Sequence, residues 1–127
     1  MFSGVDMKLK VVVVDDNFKN LIMEKDLLEV AGFSVFKAET AQKGIALVKK
    51  IIPDVIIMDV RLPDMMGFAA ARLIRLDETI QGIPIIFVTA SVLAEGREEL
   101  KNIGNSFFIG KPINTRTFAI EVRQRIK

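Results

Sequence analysis

Short apolar runs alternate along the chain with longer segments in which apolar residues recur at helical spacing. The runs at 9–14, 55–58 and 85–88 are almost continuously hydrophobic, which is typical of parallel strands covered on both faces. Two further runs, at 34–38 and 106–109, are also interpreted as strands. The pattern therefore predicts strands and helices in strict alternation, which indicates a (βα)₅ protein of the α/β class with right-handed crossovers.

The segments between the strands carry the repeats and end signals of helices. Thr40 and Asn114 are predicted N-caps of the second and fifth helices, and Gly32 stands where the first helix would end. The apolar residues that mark the five helices are Leu21, Leu28 and Ala31; Ala41, Ile45, Val48 and Ile52; Ala69, Leu73 and Leu76; Leu93, Leu100 and Ile103; and Phe118, Val122 and Ile126. Gly96 is interpreted as a weak point in the middle of the fourth helix, which would let that helix shift or fray.

The composition of the chain limits the kinds of domain and metal site that it can form. The 127 residues suit one domain, predicted at 8–127, and residues 1–7 are interpreted as a tail or an expression remnant. A net charge of +2 does not favour direct nucleic-acid binding, and no apolar run could span a membrane, so a cytoplasmic protein is expected. The chain contains no cysteine and no histidine, so any metal must be held by oxygen, which favours Mg²⁺ or Ca²⁺.

Polar residues stand at the ends of four of the predicted strands. Asp15 and Asp16 follow the first strand, Asp59 the third, Thr89 the fourth and Lys111 the fifth. Ligands of open α/β sheets bind beyond the carboxyl ends of the strands, so these side chains are expected to gather at one edge.

This set of side chains suits phosphoryl transfer. Clustered carboxylates repel each other unless a cation or protonation relieves the repulsion, and Mg²⁺ prefers oxygen ligands. Lys111 and Thr89 can contact phosphoryl oxygens as a cation and as a hydroxyl donor. A carboxylate nucleophile forms an aspartyl-phosphate, and the transfer itself depends mainly on positioning and charge neutralisation.

From Lys8 to Lys127 the chain resembles the receiver domains of bacterial response regulators, of the stand-alone chemotaxis or sporulation type. The resemblance implies a flavodoxin-like sheet in strand order 2-1-3-4-5 with helices on both faces. The motifs that carry it are Val-Val-Val-Val-Asp-Asp-Asn at 11–17, Pro-Asp-Val-Ile-Ile-Met-Asp at 53–59, Leu-Pro-Asp-Met at 62–65 with Gly67, Val-Thr-Ala at 88–90 and Gly-Lys-Pro-Ile at 110–113.

The resemblance also implies roles for the acidic residues. Asp59 would be the phosphoacceptor. Asp16 and Asp59, with the backbone carbonyl of Arg61, would bind Mg²⁺ directly, and Asp15 would act largely through water. Arg61 and Ser91 occupy positions that tune the lifetime of the phosphoryl group in this family.

Further roles follow for the residues near the ends of the fourth and fifth strands. Lys111 would pair with Asp59 and then with the phosphoryl group, and its bond to Pro112 is expected to be cis. Thr89 would move toward the phosphoryl group on activation. Phe108 matches the switch aromatic of the family, although an ordinary core aromatic is an equally good interpretation.

The expected function is a phosphorylation-dependent signalling receiver. It would take a phosphoryl group from a histidine kinase or a phosphotransfer protein, change its partner-binding surface and act on a downstream protein target. It would be a monomer or a phosphorylation-dependent dimer, and it would catalyse only its own phosphorylation and dephosphorylation. A receiver fragment of a hybrid kinase or transcription regulator, and a phosphorylation-independent docking domain, remain open as alternatives.

Two other protein classes fit the sequence less well. A flavodoxin-like cofactor carrier needs a Gly- or hydroxyl-rich phosphate loop, whereas here two aspartates follow the first strand. A haloacid-dehalogenase-like phosphatase has Asp-x-Asp after that strand, but the residue two positions beyond Asp15 is Asn17. The acid/base residue of such a phosphatase is therefore absent.

Overall fold

A single parallel sheet organises the protein. The computed structural model describes residues 8–91 and 94–126, so the predictions for 1–7 and Leu93 lie outside the described residues. The strands are β1 (Lys10–Val14), β2 (Ser34–Ala38), β3 (Val55–Asp59), β4 (Ile85–Thr89) and β5 (Ser106–Gly110). The helices are α1 (Phe18–Val30), α2 (Ala41–Ile51), α3 (Gly67–Leu76), α4 (Ala94–Ile103) and α5 (Phe118–Gln124). The strand order β2-β1-β3-β4-β5 confirms the predicted topology.

The central strands are hydrophobic because both of their faces are covered. Successive residues of β1 point to opposite faces, so Val12 and Val14 join one buried cluster while Val11 and Val13 join the other. Helices α2, α3 and α4 cover the first face, and α1 and α5 cover the second. Of the helices in the described ranges, none is long and apolar enough to cross a membrane.

Local signals explain where several helices begin and end. The Thr40 hydroxyl accepts a hydrogen bond from the Lys43 amide at 3.1 Å, which confirms the predicted N-cap of α2. Gly32 follows the end of α1 with φ +98°, a conformation that favours glycine. The prediction that Asn114 caps α5 is wrong, because the helix begins only at Phe118. Asn114 instead opens the preceding turn, where its side chain accepts from the Arg116 amide at 3.0 Å.

Helix α3 was predicted correctly, but its buried face was not. Leu73 and Leu76, expected to mark that face, are 49% and 79% exposed. Small residues and one isoleucine are buried instead, among them Gly67, Ala70 and Ile74. A Cβ on Gly67 would lie 2.3 Å from the backbone oxygen at the end of β3, so the helix approaches the sheet too closely for larger side chains at its start.

Arg75, near the end of α3, holds several backbone carbonyls at the other edge of the sheet. Its guanidinium donates to the carbonyl of Ile83 at 2.8 Å, of Gly104 at 2.9 Å and of Asn105 at 3.0 Å. Burial lowers the pKa of the Arg75 guanidinium. The side chain therefore connects α3 to the segments that lead into β4 and β5.

Replacing Arg75 with methionine is expected to lower the free energy of unfolding by roughly 2–3 kcal/mol, because several carbonyls, most of them partly buried, lose a charged donor. Arg72→Met, on the same helix, removes a partly exposed ion pair with Glu99 and should cost less than about 1 kcal/mol. Urea unfolding followed by circular dichroism measures both values. Equal losses in the two variants would contradict the structural role given to Arg75.

Candidate functional site

Three carboxylates meet at the carboxyl edge of the sheet. Asp15 and Asp16 directly follow β1, and Asp59 is the last residue of β3. One carboxylate oxygen from each lies within 4.8 Å of the others. Asp15 is buried, Asp16 is exposed and Asp59 lies between these extremes. The parallel pairing of β1 with β3 thus brings together residues that are more than 40 positions apart in the chain.

Backbone hydrogen bonds fix the position of Asp15. Its amide donates to the carbonyl of Ala38 at 3.1 Å, which extends the β1–β2 pairing by one residue. Its carboxylate accepts a hydrogen bond from the backbone amide of Asn17 at 2.8 Å. The Asn17 side chain in turn accepts a hydrogen bond from the backbone amide of Asn20 at 3.0 Å and so caps the N-terminus of α1. The start of α1 is therefore connected to the first carboxylate of the cluster.

The loop that follows β3 fixes the position of the Asp59 carboxylate. Its carboxylate accepts from the amide of Arg61 at 3.2 Å. Further along this loop, Asp64 accepts from the amides of Ala41 and Gln42 at 2.9 and 2.8 Å. The loop that carries the Arg61 carbonyl is thus attached to the first turn of α2.

Lys111 supplies the positive charge of the cluster. Its ammonium lies 3.1 Å from an Asp59 carboxylate oxygen and 3.9 Å from an Asp15 carboxylate oxygen. Its backbone amide donates to the Thr89 carbonyl at 2.8 Å, and its peptide bond to Pro112 is cis, as predicted. The Lys111 side chain reaches from the end of β5 to the end of β3.

Three carboxyl groups face one ammonium group at this site, so the acidic groups outnumber the cation. Burial raises the pKa of Asp15, and the charges of Asp59 and Asp16 add to this, while the Asn17 amide and Lys111 oppose it. Burial lowers the pKa of Lys111, but the hydrogen bond and the charge of Asp59 outweigh it, so the net shift is upward. An oxygen-only donor set with excess negative charge suits a hard divalent cation.

Glu24 is a buried acid that was not predicted from the sequence. It lies on α1 between Leu21 and Leu28 and is 2% exposed. Burial, with the charges of Asp15 and Asp59, raises its pKa to about 8, against the opposing effect of Lys111. The available signal was a glutamate at helical spacing on the apolar stripe of the first helix. Glu24 therefore adds a fourth carboxyl group to the electrostatics of the site.

Thr89 stands at the end of β4, as predicted, but its hydroxyl contacts its own loop. The hydroxyl donates to the Ser91 carbonyl at 3.1 Å and accepts from the Ser91 amide at 3.3 Å. Thr89 and Lys111 both line a cavity of about 700 Å³ that reaches from Asp59 to Phe108. The hydroxyl would have to leave the Ser91 carbonyl in order to donate to a group bound at Asp59.

Phe108 lies at the far end of this cavity and is partly buried. Its ring centroid is 6.2 Å from that of Phe68 and 6.1 Å from that of Phe87. Gly96 faces it from α4, where a Cβ would come within 3.0 Å of the Phe108 ring. The placement of Gly96 in the middle of α4 was wrong, because Gly96 is the third residue of that helix. The close approach of the aromatic ring gives a packing reason for glycine at this position.

Comparison with known proteins identifies a family. The family model that describes the response regulator receiver domain matches residues 11–123 of this chain. The polar-differentiation response regulator DivK of Brucella ovis is 30% identical over 112 residues, which cover 88% of this chain and 91% of that protein. The chemotaxis response regulator CheY4 of Vibrio cholerae has a similar structure, with a TM-score of 0.88 and 29% identity over 94% of this chain and all of that chain. A CheY-like receiver domain protein of Methanospirillum hungatei gives a TM-score of 0.85 at 27% identity, covering 93% of each chain.

Glu24 should make the stability of the protein depend on pH. Its pKa of about 8 in the folded protein exceeds the ordinary 4.5, so the unfolded chain releases the proton first. The free energy of unfolding should therefore fall as the pH rises from 4.5 to about 8, by at most about 1.4 kcal/mol per pH unit, and level off above this range. Glu24→Gln is expected to flatten this part of the pH profile.

Urea unfolding at several pH values, with chelator present throughout, measures the effect. Glu29→Gln, on the exposed side of the same helix, is the matched control and should keep the slope of the native protein. A Glu24→Gln profile parallel to the native one would show that Glu24 does not titrate in this range.

Proposed function

Because this chain belongs to the response regulator receiver domain family, we propose that Asp59 accepts a phosphoryl group and that the resulting change of surface carries a signal. The observation that carries the proposal is the contact of 3.1 Å between the Lys111 ammonium and the Asp59 carboxylate, inside a cluster of three carboxylates. A partly buried lysine beside clustered acids can stabilise the added negative charge of a phosphoryl group.

In the proposed reaction, a carboxylate oxygen of Asp59 attacks the phosphorus of a phosphohistidine on the donor protein. The new O–P bond forms as the P–N bond breaks, and the donor imidazole leaves with the electron pair of that bond and takes up a proton from solvent. Lys111 would move from the Asp59 carboxylate to a phosphoryl oxygen. The partial exposure of Asp59 leaves a path for the donor, while the buried Asp15 lies behind it.

The same residues would hold Mg²⁺. Asp16, Asp59 and the backbone carbonyl of Arg61 would provide direct ligands, and Asp15 would act through a water molecule. The oxygen-only donor set and the surplus of three carboxylates over one lysine support this assignment. When bound, the cation would neutralise the charge on the phosphoryl oxygens.

The change of surface would begin at Thr89. In this proposal the Thr89 hydroxyl exchanges the Ser91 carbonyl for a phosphoryl oxygen, and the loop after β4 follows. Phe108 would repack in the cavity that it shares with Thr89, opposite Gly96. Because Phe108 has no hydroxyl, its response would depend on packing alone. Arg61 and Ser91, at the mouth of the same cavity, would tune the lifetime of the phosphoryl group.

We also propose binding partners, a cellular location and an oligomeric state for the protein. A histidine kinase or phosphotransfer protein of the cytoplasm would supply the phosphoryl group, and a downstream protein would read the altered surface. Residues 8–127 would form the receiver domain, as a monomer or a phosphorylation-dependent dimer. The domain would act on its own aspartate and would not turn over external substrates.

Incubation with a small-molecule phosphodonor and Mg²⁺ is expected to add one phosphoryl group to the native protein and none to Asp59→Asn. The reason is that an amide cannot act as the nucleophile. Intact-mass spectrometry measures the adduct, and chelator should abolish it.

Asp54→Asn is the matched control for this experiment. Asp54 lies just before β3, at the opposite end of the strand, where its carboxylate accepts from the Lys10 amide. This variant should be phosphorylated like the native protein. An adduct that persists in Asp59→Asn would move the acceptor elsewhere, and no adduct on any variant would favour a phosphorylation-independent docking domain.

Amide exchange at residues 97–103 of α4 is expected to be faster than in α2 and α3, and to change further when Asp59 is phosphorylated. Of residues 97–103 only Ile103 is buried, whereas α2 and α3 bury three and four residues, so less packing protects the amides of α4. Hydrogen–deuterium exchange with and without phosphodonor measures both effects. Exchange as slow as in the other helices under both conditions would remove α4 from the proposed change of surface.

A further inference from the structure

We propose that the groove between the start of α1, the end of β2 and the outer side of α2 is a docking site for an acidic segment of a partner protein. We call it the lysine groove. It has a volume of about 470 Å³, with an apolar floor and a cationic rim. The floor residues used below are Phe18, Leu21 and Leu47, and the rim residues are Lys37, Lys43 and Lys50. This inference does not depend on phosphorylation of Asp59.

Positive charge is concentrated around this groove. Helix α2 carries three lysines and no acidic residue, whereas the whole chain has a net charge of only +2. Within the described residues, Lys37, Lys43 and Lys50 form no ion pair, although four other basic residues do. One acid, Glu39, also lines the groove. The rim therefore keeps a surplus of positive charge that a negatively charged segment would match.

The floor offers an anchor for an apolar side chain. Phe18 is 66% exposed although it is aromatic and opens α1, and it forms part of the apolar floor. Leu21 is buried behind it, and Leu47 is only partly covered on α2. Exposed aromatic residues beside charged groups are characteristic of protein interaction sites, where an apolar contact provides affinity and the charges provide specificity.

The form of the groove favours a protein segment over other anionic ligands. Small-molecule sites bury most of their ligand and direct a few fixed polar groups at it, whereas here the polar groups are exposed lysine side chains on the rim. A flat membrane surface would contact the rim but leave the concave floor unfilled. A helix or extended segment with acidic residues around one large apolar side chain would fill both parts.

The groove is attached to the carboxylate cluster by the backbone. Phe18 immediately follows Asn17, whose amide donates to the Asp15 carboxylate. Ala38, which lines the groove, accepts a hydrogen bond from the Asp15 amide. A segment bound in the lysine groove would thus lie beside the acidic site without covering Asp59.

Selection of peptides tests the proposal without a known partner. A display library of random peptides is selected against the native protein, and the enriched peptides are synthesised for binding measurements. We expect enrichment of acidic peptides that contain a large apolar residue, and backbone amide shifts on peptide addition that map to the α1, β2 and α2 segments around the groove. Affinity should fall as salt is raised, because the contacts are exposed charge pairs.

Charge reversal provides the decisive comparison. The double variant Lys43→Glu, Lys50→Glu should weaken binding of the selected peptides by about tenfold or more, because two attractive contacts with exposed charges become repulsive. The matched control is Arg97→Glu with Lys101→Glu on α4, which makes the same change of charge outside the groove. This control should bind like the native protein.

A second pair of variants tests the apolar floor. Phe18→Ser should weaken binding several-fold, whereas Val30→Ser, at the other end of α1 and 91% exposed, should not. Circular dichroism confirms that each variant is folded. The proposal is overturned by failure to enrich acidic peptides, by amide shifts elsewhere on the surface, by equal losses in both charge-reversal variants, or by binding to anionic lipid vesicles in the absence of peptide binding.

Discussion

The arrangement of the site depends on parallel strands that end at one edge of the sheet. The register sets Asp59 beside Val88 and Thr89 beside Gly110, so chemically active residues from separate parts of the chain become neighbours. The same geometry forces three carboxylates into one small volume, where they repel each other. Lys111 offsets this repulsion only in part, because one ammonium faces three carboxylates, and the surplus of acidic groups suits a bound cation.

The two sides of the site differ in how firmly they are held. On the carboxylate side, backbone amides fix Asp15 and Asp59, and Asp64 ties the loop after β3 to the start of α2. On the other side, the Thr89 hydroxyl bonds to Ser91 in its own loop, and Phe108 lines an open cavity. A firmly held acceptor beside an adaptable loop is an arrangement in which local chemistry can alter a distant surface.

Two features of α1 lie close to the site. Its inner face carries Glu24, a buried acid whose pKa is raised by burial and by the charges of Asp15 and Asp59. Its first residue, Phe18, forms part of the lysine groove on the outside. Both features are connected to Asp15, one through electrostatics and the other through the backbone of Asn17. Helix α1 therefore connects the chemistry at the edge of the sheet with a surface where a partner could bind.

The sequence by itself determined the strands, the α/β class and the order in which active residues follow the strands, because continuous apolar runs and strand-end residues are local patterns. It also predicted the cap at Thr40 and, through family resemblance, the strand order and the cis bond after Lys111. Only the tertiary structure decided which face of α3 is buried, since small residues there pack where the backbone comes close to the sheet. The burial of Glu24 likewise depends on contacts with segments that are distant in the chain. The partner of the Thr89 hydroxyl depends on the path of the loop after β4. Local periodicity in the sequence encodes neither of these features.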